Sequence, residues 1–166
     1  MELIELPGMT AAGRAELAAG EAHPFGVNDL QWRESERYLA LRDDGRLVAA
    51  AGLVVAGVEA GGDVFEVVGV GGVIVARPRR GEGLMRRVMD AALTRAEELG
   101  PAFAMLFCSV GNSARYARFG FRRIEARVTA EQPDRIVEMG DASMWRPLRE
   151  GATWPAGPVR VLGLPF

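Results

Sequence analysis

The chain has 166 residues, 49% hydrophobic and 25% charged, a balance that fits one globular domain and excludes wholesale disorder. All 20 basic residues are arginine, so neither Schiff-base chemistry nor a phosphate-loop lysine is available. One histidine, one cysteine and a net charge of −2 exclude an internal disulfide and give no basis for a His/Cys metal cluster or for nucleic-acid binding.

Glu2–Leu6 reads as a first strand, closed by Pro7-Gly8, and the acidic start lacks the basic, apolar pattern of a signal peptide. The expected compartment is the cytoplasm. Thr10 caps a helix over residues 11–19 that ends at Gly20. Glu21–Glu34, with His23, Asn28, Asp29 and Trp32, has no clean period and reads as a loop. Arg37–Arg42 and Arg46–Val58 are strand-like runs around Asp43-Asp44-Gly45, a hairpin signal. A turn at Gly61-Gly62 leads into Val64–Ala76, a valine-rich strand broken by Gly69, Gly71 and Gly72, which mark a bulge. The longest apolar runs, Leu47–Val58 and Val67–Ala76, fall short of the roughly 20 residues a bilayer needs.

The period then changes to helical. Leu84, Met85, Val88, Met89, Ala92 and Leu99 form one stripe, and Gly100-Pro101 ends the helix. Ala102–Cys108 has the continuous apolar pattern of a strand covered on both faces. A short helix opens at Asn112 or Ser113 and runs to about Phe119. Phe121–Thr129 and Ala142–Leu148 read as further strands, and the proline- and glycine-rich tail Thr153–Phe166 reads as extended.

The chemistry lies where the central strand meets the long helix. Val73-Ile-Val-Ala-Arg-Pro-Arg-Arg-Gly-Glu-Gly-Leu-Met85 is a buried strand, an Arg/Gly loop and a helix start. First-turn N–H groups lack intrahelical partners, and Gly81 and Gly83 let a phosphate approach them, helped by the helix dipole. Neither the Walker pattern nor the Rossmann fingerprint fits, since Gly-Lys-Ser/Thr is missing and Arg86 stands where a third glycine is needed.

The segment resembles the acetyl-CoA loop of the GNAT superfamily of N-acetyltransferases, Arg/Gln-x-x-Gly-x-Gly/Ala. Arg80, Gly83 and Met85 stand at its fixed positions, Met85 departing from Gly/Ala. Tyr116-Ala-Arg-Phe-Gly120-Phe121 is similar to the family's Tyr-x-x-x-Gly-Phe, and the two motifs span about residues 36–128. The compact Cys108–Tyr116 segment and long tail also resemble the aminoglycoside 2′-N-acetyltransferase branch. The resemblance implies an α/β fold of one domain over residues 1–166. Its mixed, mostly antiparallel sheet of six or seven strands splays at the centre, with helices on both faces. It further implies acetyl-CoA as co-substrate, no metal, and direct acetyl transfer to a primary amine of a small molecule. A homodimer remains open, and neither nucleic acid nor membrane is an expected partner.

By the same resemblance, main-chain groups of Val73 and Val75 pair with the pantetheine amides. Arg80, Gly81, Glu82, Gly83, Leu84 and Met85 supply the pyrophosphate site, while Arg77 and Arg79, within reach of the ribose phosphate, read as solvated arginines and are left out of it. Tyr116 serves as general acid to the CoA thiolate. A phenol of pKa about 10 stays protonated at neutral pH, and hydrogen-bonding the developing thiolate is the lower-cost role. The base is open among Glu66, the nearest carboxylate on the central strand, and Asp29, Glu36, His23 and the α-carboxylate of Phe166. Cys108 as an acetylated nucleophile is a competing scheme. Two other functions stay open: acetylation of a protein, and a degenerate acyl-CoA-binding sensor.

Overall fold

A computed structural model describes residues 1–140 and 142–166. Its elements in chain order are β1 (Glu2–Leu6), α1 (Ala11–Ala18), β2 (Arg37–Asp43), β3 (Arg46–Ala60), β4 (Asp63–Val75), α2 (Leu84–Glu98), β5 (Phe103–Cys108), α3 (Ser113–Ala117), β6 (Arg122–Arg123), β7 (Val128–Glu131), β8 (Ile136–Glu138), β9 (Ala142–Pro147) and β10 (Val159–Val161). Single 3₁₀ turns at Arg77–Arg79 and Val110–Asn112 precede α2 and α3.

Local chemistry sets most boundaries. The Thr10 side chain accepts a hydrogen bond from the Gly13 amide and caps α1, whose last turn closes at Ala19 in the left-handed region, one residue before the expected Gly20. Asp44 and Gly45, both at positive φ, form the two-residue connection between β2 and β3.

All ten strands among the described residues join one sheet, in the order β6-β9-β5-β4-β3-β10-β7-β8, with β2 also on β3 and β1 on β2. The β4–β5 and β10–β7 pairs are parallel and the others antiparallel. The sheet is therefore larger than the six or seven strands expected. The stretch read as one strand over Phe121–Thr129 is two, with β6 beside β9 and β7 beside β10. The tail, expected to be extended only, contributes β10.

The helical stripe buries Leu84, Val88, Met89, Ala92, Leu93 and Ala96 against Leu41, Leu53, Val70 and Leu106 on one face of the sheet. Each large side chain buried there contributes roughly 1.5–3 kcal/mol of transfer free energy. α1 covers part of the other face through Leu17, packed with Tyr38, Ala40, Leu47, Ala50 and Ile74. The rest of that face is closed by aromatic rings from strands, loop and tail, among them Trp32, Phe65, Phe103, Phe107, Trp145, Trp154 and Phe166. Among the described residues no helix is long and apolar enough to cross a membrane.

Candidate active site

The central feature is a parting of β4 from β5. They pair through Val68–Ala104, Gly69–Met105 and Val70–Leu106, and there the pairing stops, while β4 runs on to Val75 and β5 to Cys108. On its other side β4 stays paired with β3, with a register shift opposite Gly71 and Gly72, where Gly72 takes φ 58°. The bulge falls where the glycines mark it in the sequence.

This parting exposes specific backbone groups. Val75 lies opposite Ala49, and the next amide, Ala76, donates to the Val48 carbonyl at 2.9 Å. In an antiparallel ladder that pattern makes Ala49–Val75 a non-hydrogen-bonded pair, so the N–H and C=O of Val75 point away from β3, into the opening. The strand period of two turns Val73 the same way. A ligand carrying amides can add itself there as a strand.

The exposed edge leads straight to the loop. Gly81 and Gly83 sit at φ 91° and 77°, and a Cβ built on either meets nothing within 4 Å. Gly83 is the N-cap of α2 and offers no side chain, so the first-turn amides of Leu84, Met85 and Arg86 look into open space. Arg79 is a brace, donating to Glu82 at 2.7 and 2.8 Å and to Asp43 at 2.9 Å. These bonds hold both carboxyls below the usual carboxylate range and raise the guanidinium above its own. Arg79 thus pins the loop onto the β2–β3 turn. Glu82 faces the same brace. Arg80 reaches back to the Val75 carbonyl at 3.2 Å and pairs with Glu21. Met85 packs against the core beneath α2.

On the opposite jaw, β5 leads through the 3₁₀ turn into α3, which carries Tyr116. Its ring meets Phe121 edge-on, centroids 6.4 Å apart, and packs on the core that holds α2. Burial pushes the phenol pKa up to about 12; the nearby Cys108 thiol adds to this and Arg115 opposes it. Tyr116 therefore stays a hydrogen-bond donor across the working range of any ordinary enzyme. Cys108 ends β5 with its Sγ 3.9 Å from the Met144 sulfur.

The expected bases do not gather here. Glu66 is opposite Gly57, a stretch of about 16 Å of strand from Gly71. It shares a face with Val68 and Val70, and so with α2, and lines a groove with Leu99–Phe103. Asp29 is paired with Arg135 and Glu36 with Arg33, and all of these side chains are solvent-exposed. His23 is exposed on the loop. Of the five groups, only Phe166 reaches the opening: its main-chain carbon stands 3.1 Å, and its oxygen 3.8 Å, from where a Gly71 Cβ would be.

Two features were missed in the sequence. The Phe166 ring covers Gly69, on the face away from α2, and meets Phe107 at a tilt of 50°, centroids 5.2 Å apart. The Ser35 hydroxyl and Tyr38 ring also crowd the bulge, where a Cβ on Gly72 would lie 3.2 Å from the ring. Glycines in adjoining alternate positions were the only sequence signal, and they say that something approaches without saying what.

Solved structures share the fold. A GNAT family N-acetyltransferase (YhbS) from Escherichia coli, in complex with CoA, superposes with TM-score 0.62 at 19% identity, over 99% of this chain and 96% of that one. A GNAT family acetyltransferase from Brucella melitensis, in complex with acetyl-CoA, gives 0.60 at 17%, over 95% and 94%. N-acetylglutamate synthase from Neisseria gonorrhoeae gives 0.60 at 14%, over 90% of this chain and 36% of that one. These likenesses show the fold. No curated protein matches the chain. The acetyltransferase (GNAT) domain model matches residues 26–124, more than half the chain and every element from β2 to α3 that frames the opening, and so the chain belongs to the GNAT acetyltransferase family.

Proposed function

We propose that the protein transfers an acetyl group directly from acetyl-CoA to a primary amine of a small molecule. The observation that carries this reading is the edge of β4 at Val73 and Val75, which no strand covers and where Arg80 alone reaches the Val75 carbonyl, leading on to Gly81, Gly83 and the first turn of α2. A donor with two amides and a diphosphate fits that sequence of sites. Val73 and Val75 pair with the pantetheine amides, and the amides from Gly81 to Met85 take the diphosphate. The thioester supplies the activated acetyl group, and its sulfur leaves toward the Tyr116 hydroxyl.

An alkylamine of pKa near 10.4 must lose a proton before it attacks. The Phe166 main-chain oxygen at the bulge is placed to accept a hydrogen bond from the acceptor nitrogen and align its lone pair, and the proton passes to solvent. The glycine at 71 leaves room for that approach. Neither Glu66 nor a covalent Cys108 step is needed.

The small acceptor is supported by how the far face is closed. Arg33 donates its amide to Pro165 at 2.7 Å, Glu131 to Gly163 at 2.9 Å, and Gln132 clamps the main chain of Gln31 at 2.8 and 3.0 Å. Loop and tail are thus laced over the sheet, which suits a compact amine better than an extended polypeptide. The test is thiol release from acetyl-CoA with a panel of small amines and of peptides. Turnover with small amines supports the reading, turnover with peptides alone replaces the acceptor class, and CoA binding without turnover by any amine leaves a sensor.

A further inference from the structure

Tyr38, Gly52 and Gly71 stand side by side on β2, β3 and β4. Two glycines in partnered positions leave that row of the sheet without side chains, and the Tyr38 ring lies across it, on the face away from α2. A Cβ on Gly52 would run into the Ser35 side chain and stand 2.9 Å from the Tyr38 Cε1 atom; one on Gly72 would stand 3.2 Å from the same ring atom. The ring thus spans β3 and ends at the bulge of β4, its hydroxyl 3.9 Å from where a Gly72 Cβ would be.

The phenol has no task within the fold. Tyr38 is 6% exposed, yet its hydroxyl makes no hydrogen bond among the described residues. It is not sealed in either, because the side-chain atoms buried without a partner among those residues are Ser143 Oγ and Trp154 Nε1. A tyrosine packed in a core ordinarily spends its hydroxyl on a partner. A phenylalanine would fill the same space, so the oxygen points to a group from outside the chain.

Its place matches the reacting end of the site. A donor with its diphosphate at Gly81–Met85 passes Val75 and then Val73, and its thioester comes to the vertex beside Gly72 and Gly71, where β4 and β5 close. Tyr116 stands on the α2 face of that vertex. On the other face are the Tyr38 hydroxyl by Gly72 and the Phe166 main-chain oxygen by Gly71, 3.8 Å from its Cβ position. Ser35 Oγ, 3.9 Å from that same position, sits further back over Gly52.

We infer that the Tyr38 hydroxyl is a second hydrogen-bond acceptor for the incoming amine and makes the site select unsubstituted primary amines over N-methylated ones. This rests on the acetyl-transfer reading above. A neutral primary amine has two N–H groups and one lone pair. With one N–H on Phe166 and the other on Tyr38, the lone pair is left for the thioester carbon. A secondary amine has a single N–H and leaves one of the two oxygens unmatched.

The experiment measures kcat/KM for the best small primary amine of the panel and for its N-methyl derivative, on wild type and on Tyr38→Phe, with acetyl-CoA affinity by calorimetry. Wild type is expected to prefer the primary amine by ~10-fold or more. Tyr38→Phe keeps the ring on its glycine row, so acetyl-CoA should bind within about twofold of wild type. For the primary amine kcat/KM should fall ~10–100-fold, and the preference should shrink to within about threefold. A preference that survives in Tyr38→Phe is steric and overturns the inference, as does a wild type without preference. Loss of acetyl-CoA binding in the variant overturns it too, since the ring would then be support for the sheet. If wild type binds acetyl-CoA and turns over no amine, the acetyl-transfer reading itself falls and takes this inference with it.

Discussion

The ring of Phe166 lies against Gly69 so closely that a methyl group there would stand 2.5 Å from its Cδ2 atom. Gly69 is in the middle of a strand paired on both sides, with Val54 and Met105. Its backbone is not in the left-handed region, so the ring, and not the backbone, demands a glycine.

Gly69→Ala should therefore overpack, lowering stability by about 1–3 kcal/mol and displacing the tail. Acetyl-CoA affinity should hold within a few-fold, because the ring lies on the face of the sheet away from α2 and the loop that leads into it, while kcat/KM for the acceptor falls. Phe166→Ala vacates the space, so the double variant should lose less stability than the two single losses added together. Additive losses by denaturant unfolding would mean that the ring and the strand are not in contact.

Tyr116→Phe removes one oxygen and keeps the ring on Phe121. If the hydroxyl meets the sulfur only as charge develops, kcat should drop ~10–10³-fold with the acetyl-CoA constant nearly unchanged. Pre-steady-state measurement with a competent amine, under conditions where chemistry limits, is the check. A fully active variant would reduce Tyr116 to packing.

The same residue should leave a signature in stability against pH. Its folded-state pKa of about 12 exceeds the ordinary 10, so the folded chain holds the phenolic proton more tightly than the unfolded chain does. That contribution is complete below pH 10 and is lost as pH rises toward 12, on the order of 2–3 kcal/mol. Urea midpoints from about pH 9 to 11.5 should fall more steeply for wild type than for Tyr116→Phe. Parallel curves would contradict the burial of the hydroxyl.

Glu66→Gln should leave kcat/KM within about twofold of wild type, since its side chain points to the α2 face far from Gly71. A loss of an order of magnitude or more would return the base to that carboxylate.

The long elements were legible because each repeats its period enough times to be read: 15 residues of β3, 13 of β4 and 15 of α2. β6, β8 and β10 have two or three residues each and no period at all, so their pairing is a tertiary fact. The Arg80–Met85 loop was legible as a local strand–loop–helix pattern. The laced face was not, since Phe166 on Gly69 and Gln132 on Gln31 join residues about a hundred positions apart. Glu66 is the carboxylate nearest the bulge along the strand, and direction is what sets it apart from the opening. With Val68 and Val70 toward α2, the alternation already sends Glu66 there too.

β3 has one more consequence. About 50 Å long at full extension, it pairs with β2 over its first half and with β10 at its far end, and it gives side chains to all three buried clusters. The donor jaw and the acceptor lid thus hang from a single backbone. Neither half can open its inner amides to exchange without breaking ladder bonds that the other half shares. The β4-facing amides of Val54, Ala56 and Val58 should therefore exchange with solvent deuterium only through global unfolding, as one cooperative unit.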